Sequence, residues 1–437
     1  MTALPTPNTV RLCAELFGRY FGALREQGIQ AVVLHGYEGF PDSFPSDIDF
    51  AVADKDLRRA ISILHDVCAE SGWLVAQILQ HEIFAFYCVA VFADDPRYIL
   101  KFDVCSHYVR NGKVFIEDRQ LLQDAHPHKD FLIPAVSSEF LYVLSKALAK
   151  GKTLDEVAQR LRILYRKDAS GCRSVLLKLF GGSMAGSEEI NGFGFLEHGL
   201  NLPAARDLGR DYPLSLRFRE WMRRLRRLIF PTGLTIAVLG VDGSGKTTLI
   251  KNLSSILSPC FRRCEILHFR PGLGSPRTTE VVQNPHAKPP RGFLMCWSKT
   301  IYYWLDWWLG TLFVVRPAEC RSTLFFFDRH LVDVLVDPQR YRLRGSLRLA
   351  RFLIRCGPKP DLLFGLAGDV HAIAKRKGEV SPAEMDRQQK EICRVAASSP
   401  EGAILDAERE ESSLAVSAAV HAVRFLAARC ERRFRLG

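Results

Sequence analysis

Apolar residues recur at three- and four-residue spacing over Leu12–Gln27, Glu139–Leu148, Leu154–Tyr165 and Arg217–Phe230, which predicts amphipathic helices. Short runs rich in β-branched or aromatic residues read instead as strands: Ala31–Leu34, Tyr98–Val104, Thr235–Leu239, Cys264–Phe269, Thr323–Asp328 and Pro360–Leu366. The run Thr323-Leu-Phe-Phe-Phe is apolar on both faces, as a central parallel strand requires. Thr235–Leu239 is followed at once by a glycine-rich turn and then by helical spacing over Thr248–Leu257. Strands alternating with helices in the C-terminal half predict an α/β domain with a parallel sheet and helices on both faces. The N-terminal half carries both helical and strand-like runs.

The pattern divides the chain into a first domain over 1–130, a helical appendix over 131–215, a basic linker helix over 216–233 and a second domain over 234–437. Pro231-Thr-Gly233 both stops the basic helix and marks the last boundary. That helix could lie on an anionic membrane; packing of its apolar stripe on an adjoining domain is the simpler expectation. Ser187–Gly194 reads as loop. The aromatic stretch Trp297–Val315 is interrupted by Lys299 and Asp306, so a buried helix lining a pocket fits it better than a membrane span.

At 437 residues and 47% hydrophobic, the chain holds cores of ordinary size. A net charge of +12 suits a polyanionic partner such as a nucleotide or an anionic surface, and no motif singles out nucleic acid. The twelve cysteines include no Cys-x-x-Cys pair, so neither a zinc site nor a disulfide framework is indicated, and a cytoplasmic setting is expected.

The chemistry starts at Gly240-x-x-x-x-Gly245-Lys246-Thr247. Strand, glycine-rich turn and helix in that order make a phosphate-binding loop. Glycines such as Gly240, Gly243 and Gly245 let main-chain amides close round an anion that a Cβ would exclude. The helix N-terminus adds about half a positive charge. Asp242, Ser244 and Thr248 complete the nucleotide-binding stretch, with Lys246 across the outer phosphate oxygens and the Thr247 hydroxyl on Mg²⁺. In the second half Arg270 stands at a strand's carboxyl end, where α/β sheets bind ligands, and could hold an acceptor phosphate. Asp328 and Arg329 end the Phe-rich strand: the acid suits a Mg²⁺ water shell or an attacking oxygen's proton, the arginine suits phosphate charge. The charged stretch Lys375–Gln388, which contains Arg376, reads as a mobile cationic lid.

In the first half, alternation places Asp47 and Asp49 on one strand face, ~7 Å apart along it, where they repel unless a cation intervenes. Asp103, in the run Tyr98–Val104, is a third carboxylate for a Mg²⁺ site. Lys146 could reach a triphosphate.

Gly36, Asp47-Ile48-Asp49 and the later Asp103 resemble the nucleotidyltransferase superfamily typified by DNA polymerase beta, over roughly the first 130 residues; Tyr37 stands where that family usually has Ser or Gly. This likeness implies an α+β class for the N-terminal domain. Gly240–Thr248 with Asp242, then Asp328-Arg329, then Pro360-Asp361-Leu362 before a basic lid, resemble the thymidylate kinase family of P-loop kinases. That resemblance implies ATP and Mg²⁺ as cofactors, Asp242 on the acceptor's sugar hydroxyl, and Asp328 and Arg329 on metal and phosphates. Ser244 replaces the loop arginine of some members, which passes that duty to Arg376. His330 stands where the family usually has Tyr, and the insert Leu331–Pro358 and the extra N-terminal domain are unusual for it. The fused architecture resembles thymidylate-kinase-like proteins associated with bacterial surface polysaccharide synthesis.

The leading expectation is an ATP- and Mg²⁺-dependent phosphotransferase acting on a nucleoside monophosphate or related small acceptor. Alternatives are a bifunctional kinase and nucleotidyltransferase that activates a sugar, and a non-catalytic nucleotide-gated regulator. Peripheral contact with an anionic membrane and a homodimer are both left open.

Overall fold

The computed structural model describes residues 7–44, 47–150, 155–180, 209–271, 292–343, 347–376 and 381–435. They group into two compact units: Met1–Ala93 with Tyr98–Leu225 and Cys430–Gly437, and Asp94–Arg97 with Arg226–Arg429. The fold class is mixed α/β, one unit built on a parallel sheet flanked by helices and the other an α+β body.

In chain order the elements of the first unit are α1 (Pro7–Glu26), β1 (Val32–Val33), β2 (Ile48–Ala51), α2 (Leu57–Glu70), β3 (Trp73–Glu82), β4 (Ala85–Phe92), β5 (Ile99–Cys105), β6 (Tyr108–Arg110), β7 (Lys113–Ile116), α3 (Asp118–Leu122), β8 (His126–His128), β9 (Phe131–Ile133), α4 (Val136–Lys150), α5 (Asp155–Lys167), α6 (Ala169–Phe180) and β10 (Arg210–Asp211). Helix α7 (Leu214–Ile229) follows. Seven strands form one mixed sheet in the order β3-β4-β5-β2-β1-β9-β8. Helix α2 buries Leu57, Ala60, Ile61, Leu64 and Cys68, the three- and four-residue spacing that gives a helix one apolar face. The parallel pairing of β2 with β5 sets Asp49 directly opposite Asp103. Because that pairing is central, every residue of β2 is buried, its aspartate included.

The helices expected as an appendix over 131–215 do not form a separate body. Phe140, Leu144, Leu161, Leu164, Cys172 and Leu176 share one core with Leu34, Ala51, Ala85 and Cys105 of the sheet region, and β9 is itself a sheet strand. Strand β10 pairs with β7. The loop expected at Ser187–Gly194 lies outside the described residues.

The second unit continues with β11 (Leu234–Leu239), α8 (Lys246–Leu257), β12 (Arg263–His268), α9 (Phe293–Gly310), a π-helical turn (Thr311–Val315), α10 (Arg316–Glu319), β13 (Thr323–Asp328), α11 (Asp333–Val336), α12 (Arg348–Arg355), β14 (Leu362–Ala367), α13 (Val370–Arg376), α14 (Pro382–Ser398), β15 (Gly402–Asp406) and α15 (Glu411–Arg435). Its five strands are all parallel, in the order β12-β13-β11-β14-β15. Strands β11, β13 and β14 are central and buried almost throughout, whereas edge strand β12 is largely exposed. Successive residues of β14 face opposite ways. Gly365 lies under Ile392 and Ala396 of α14, and Phe364 meets His421 of α15 at a ring separation of 5.7 Å. Helices therefore cover both faces. A side chain at Gly365 would come within 3.0 Å of Ile392, so the absence of a Cβ lets α14 sit close. Helix α15 is long and apolar enough to cross a membrane by length and composition, and here Ala415, Ala418, Ala419, Ala422 and Leu426 are buried against protein.

Two expectations are corrected. Helix α9 buries Trp307 but leaves Leu294, Ile301, Leu305 and Trp308 exposed, so it is amphipathic rather than buried. Helix α7 does not pack its apolar stripe: Leu214, Phe218, Trp221 and Met222 are all exposed, and the opposite side, with Leu216, buried Glu220 and Arg223, meets the protein instead.

Candidate functional site

The chain leaves β11 at Leu239, turns through residues 240–245 and enters α8 at Lys246. Gly243 and Gly245 have φ of +88° and +89°, left-handed values that side chains resist. A Cβ on Gly240 would lie 2.4 Å from Ser244 Oγ. Thr247 is exposed on the first turn of α8 and Thr248 is half-buried. Lys246 folds back over the turn, and its ammonium donates to the carbonyls of Gly240 at 2.8 Å and Val241 at 2.9 Å. Burial lowers its pKa and Arg329 lowers it further, against the opposing pull of Asp242 and Asp328. The ammonium is thus a buried cation resting on neutral carbonyls, ready for a full anion.

Asp328 ends β13, beside the carboxyl end of β11 where the glycine turn begins. His268 Nδ1 lies 3.3 Å from one carboxylate oxygen, and the other, Oδ1, is buried without a partner. Burial opposes the charge of Asp328, but the His268 hydrogen bond and Lys246 outweigh it and hold the carboxyl below its ordinary value. Ser244 Oγ is likewise buried and unpartnered. Buried polar atoms are seldom left unsatisfied, so these two orphans beside a cradle that a Cβ would fill suit a phosphate chain and its cation. The residues fit Mg²⁺ and a nucleoside triphosphate: the hydroxyl of Thr247 and the carboxylate of Asp328 would hold the ion, and the turn's main chain with Lys246 would hold the phosphates.

Asp242, expected to face the acceptor, has its oxygens held by Arg329 and by Arg340, the latter at 2.9 Å, with Lys246 3.6 Å away. Arg329 also donates to Asp333 at 2.9 Å, and Tyr341 donates to the same Asp333 oxygen at 2.9 Å. Arg329 takes a left-handed φ of +83°, strained for a residue with a Cβ and held in place by this network. His330 does not face the network. Its ring is buried 4.2 Å from that of Trp307, and burial drives its pKa down to about 3, so it stays neutral.

On the other side, Arg270 follows β12, as expected for a strand's carboxyl end. Its guanidinium reaches Tyr302 Oη at 3.2 Å and Asp306 at 3.3 Å, and lies against the rings of Tyr302 and Tyr303. Phe269 packs against Tyr341 at 4.9 Å. An arginine set among aromatic rings can hold a phosphate while a planar group stacks beside it. Arg376 ends α13, and its side chain lies outside the described residues, as do residues 377–380 of the expected lid.

The first unit brings its three predicted carboxylates together: oxygens of Asp47, Asp49 and Asp103 all lie within 4.8 Å of one another. Burial works against the charge of Asp49, yet His35 and Lys146 hold its pKa below the ordinary range. Both bond the same oxygen, Oδ2. Asp103 goes the other way, raised by burial and by Asp49. A divalent cation would relieve that repulsion, so the donor set fits Mg²⁺. Lys146, expected at a triphosphate, stands on Asp49, with Tyr142 Oη at 3.2 Å. Asp49, Asp103, His81, His107 and Lys146 line a cavity of about 190 Å³. Gly36 turns with φ +73°, and the Tyr37 that follows it donates its hydroxyl to buried Glu139 at 2.7 Å, tying the turn to α4.

Sequence reasoning missed Arg340, Asp333, Tyr341 and His268 in the second unit, and His35 and His81 in the first. Two signals were present. Asp333 stands four residues beyond Arg329, and Asp337-Pro-Gln-Arg340-Tyr341 is an Asp-Pro turn running into a cation and an aromatic.

The chain matches no protein-family model. It matches no curated protein. Among solved structures it is similar to thymidylate kinase from Candida albicans, at 19% identity and a TM-score of 0.34, over 43% of this chain and 89% of that one.

Proposed function

We propose that the second unit is an ATP- and Mg²⁺-dependent phosphotransferase whose acceptor is a small molecule bearing a phosphate. The observation that carries this reading is the glycine turn, with Lys246 folded over it and the unpartnered Ser244 Oγ and Asp328 Oδ1 beside it. Bound Mg²⁺ would supply charge neutralisation of the phosphates. The chain's own residues supply the rest. Main-chain amides and Lys246 bind and orient the nucleotide. Asp328, kept ionised, is placed to order the cation's shell or to take any proton carried by the acceptor's attacking oxygen. Arg329 and Arg340, anchored on Asp242 and Asp333, present positive charge where negative charge spreads over the transferred group. Arg270, with Tyr302 and Tyr303, positions the acceptor, and a nucleoside monophosphate has the phosphate and planar ring for such a wall. A nucleotidyl-transfer reaction in the first unit is a second reading, supported by the closeness of Asp47, Asp49 and Asp103.

Assays of ADP release with dTMP, other nucleoside monophosphates, sugars and lipid-linked sugars test both readings. Lys246→Ala is expected to lower phosphoryl transfer by ~10²-fold or more. Asp47→Asn is expected to leave phosphoryl transfer unchanged while removing Mg²⁺-dependent pyrophosphate release. Near-parent phosphoryl transfer by Lys246→Ala would end the kinase reading.

A further inference from the structure

Helix α7 is packed the wrong way round for an ordinary surface helix. At helical spacing, Leu214, Phe218, Trp221, Met222, Leu225, Leu228 and Ile229 form a single stripe covering about a third of its circumference. On the stripe, Leu214, Phe218, Trp221, Met222, Leu228 and Ile229 are between 44% and 82% exposed. The side turned to the protein is polar apart from Leu216, which packs on the cluster of Ile83, Phe84, Val109 and Tyr212. Glu220 is buried and bonded to Arg223 and Arg224, and Arg223 donates to the Gln80 carbonyl at 2.9 Å. Arg219 lies over the Phe84 ring at 5.4 Å.

Spacing also places the arginines. Arg217 and Arg224 border one edge of the stripe, and Arg219 and Arg226 border the other. The helix holds six arginines against one acid, and that acid is already neutralised by Arg223 and Arg224. An exposed apolar stripe with a cationic rim on both edges has two chemistries to satisfy at once. Nucleic acid answers only the charge. A second copy answers only the stripe, since face-to-face pairing would set arginine rims together. An anionic bilayer answers both: the stripe enters the acyl boundary while guanidiniums reach the headgroup phosphates. Phe218 and Trp221, stacked at 6.0 Å, are residue types that favour this depth.

We propose that α7 is an interfacial helix that docks this protein on an anionic lipid surface with its apolar stripe facing the bilayer. The test is flotation of the full chain with phosphatidylcholine vesicles and with vesicles containing about one third phosphatidylglycerol. Binding is expected only to the anionic vesicles and is weakened at about 0.5 M salt, where charges are screened within a few ångströms. Phe218→Glu and Trp221→Glu are each expected to weaken that binding about tenfold or more. Both positions are exposed, and an unchanged melting curve confirms that each variant folds. Arg217→Gln with Arg224→Gln should weaken binding to anionic vesicles several-fold, with the cations of the other rim still in place. Failure of the parent chain to float with anionic vesicles overturns the proposal. So does undiminished flotation of both Glu variants, or self-association lost in Phe218→Glu without vesicle binding by the parent. Neither result bears on Lys246 or on phosphoryl transfer, so this proposal and the kinase reading fail separately.

Discussion

Glu319 shows how one buried side chain can set a pH dependence. It is buried at the end of α10, and burial together with Asp361 raises its pKa to about 7. In the unfolded chain a glutamate titrates near ~4.3. Between those values the folded protein holds a proton that the unfolded chain has released, so stability falls as pH rises through the window and levels off above about 7. Glu319→Gln is expected to stabilise the protein by roughly 1–3 kcal/mol at pH 8 and by little at pH 4, read from denaturant midpoints. The lost ion pair to Arg316 contributes little, because that arginine is more than half exposed. A pH-independent effect would assign the burden to packing. At this scale the sequence was partly legible. Lys246, Asp328 and Arg329 could be named because a motif or a strand end placed them. Arg340 and His268 could not, because only folding brings an insert residue and an edge-strand residue to the same sheet end.

Elements were more legible than side chains, for a physical reason. A central parallel strand is buried on both faces, so Thr323–Asp328 and Leu234–Leu239 announced themselves by apolar runs alone. The glycine turn did so by a constraint on φ. Gly240→Ala would place a methyl 2.4 Å from Ser244 Oγ and 3.2 Å from Lys246 Cγ, displacing two side chains of the phosphate turn. Titration calorimetry with Mg-ATP should then show affinity down by about tenfold or more, since anion binding here depends on close main-chain approach. Parent-like affinity would mean that the turn does not grip phosphate. Helix α7 shows the limit of pattern reading. Its periodicity foretold a helix correctly, but which face meets protein was settled by the buried Glu220 cluster with Arg223 and by the Gln80 carbonyl.

Across the whole molecule, the α/β character of the second unit was foreseen from the order of runs, and the α+β class of the first from its resemblance to nucleotidyltransferases; the seven-stranded mixed sheet was not. The packing of α4, α5 and α6 into the sheet's own core was not, since a helix's apolar face does not say what it covers. Each unit has its own hydrophobic core, so scanning calorimetry is expected to show two transitions. Mg-ATP at about one hundred times its dissociation constant should stabilise only one of them, by about 2.7 kcal/mol. Upward movement of both would tie nucleotide to the two units jointly.

Neither unit is a continuous stretch of chain. Cys430 and Phe434, near the carboxyl terminus, pack against the core built by Phe17, Tyr20, Phe50 and Phe102. The first unit can therefore complete its core only after the whole of the second unit's segment has been made, since Cys430 and Phe434 follow that segment in the chain. Replacing Phe434 with Ala would loosen the first unit's core while leaving the phosphate loop at residues 240–245, far earlier in the chain, untouched.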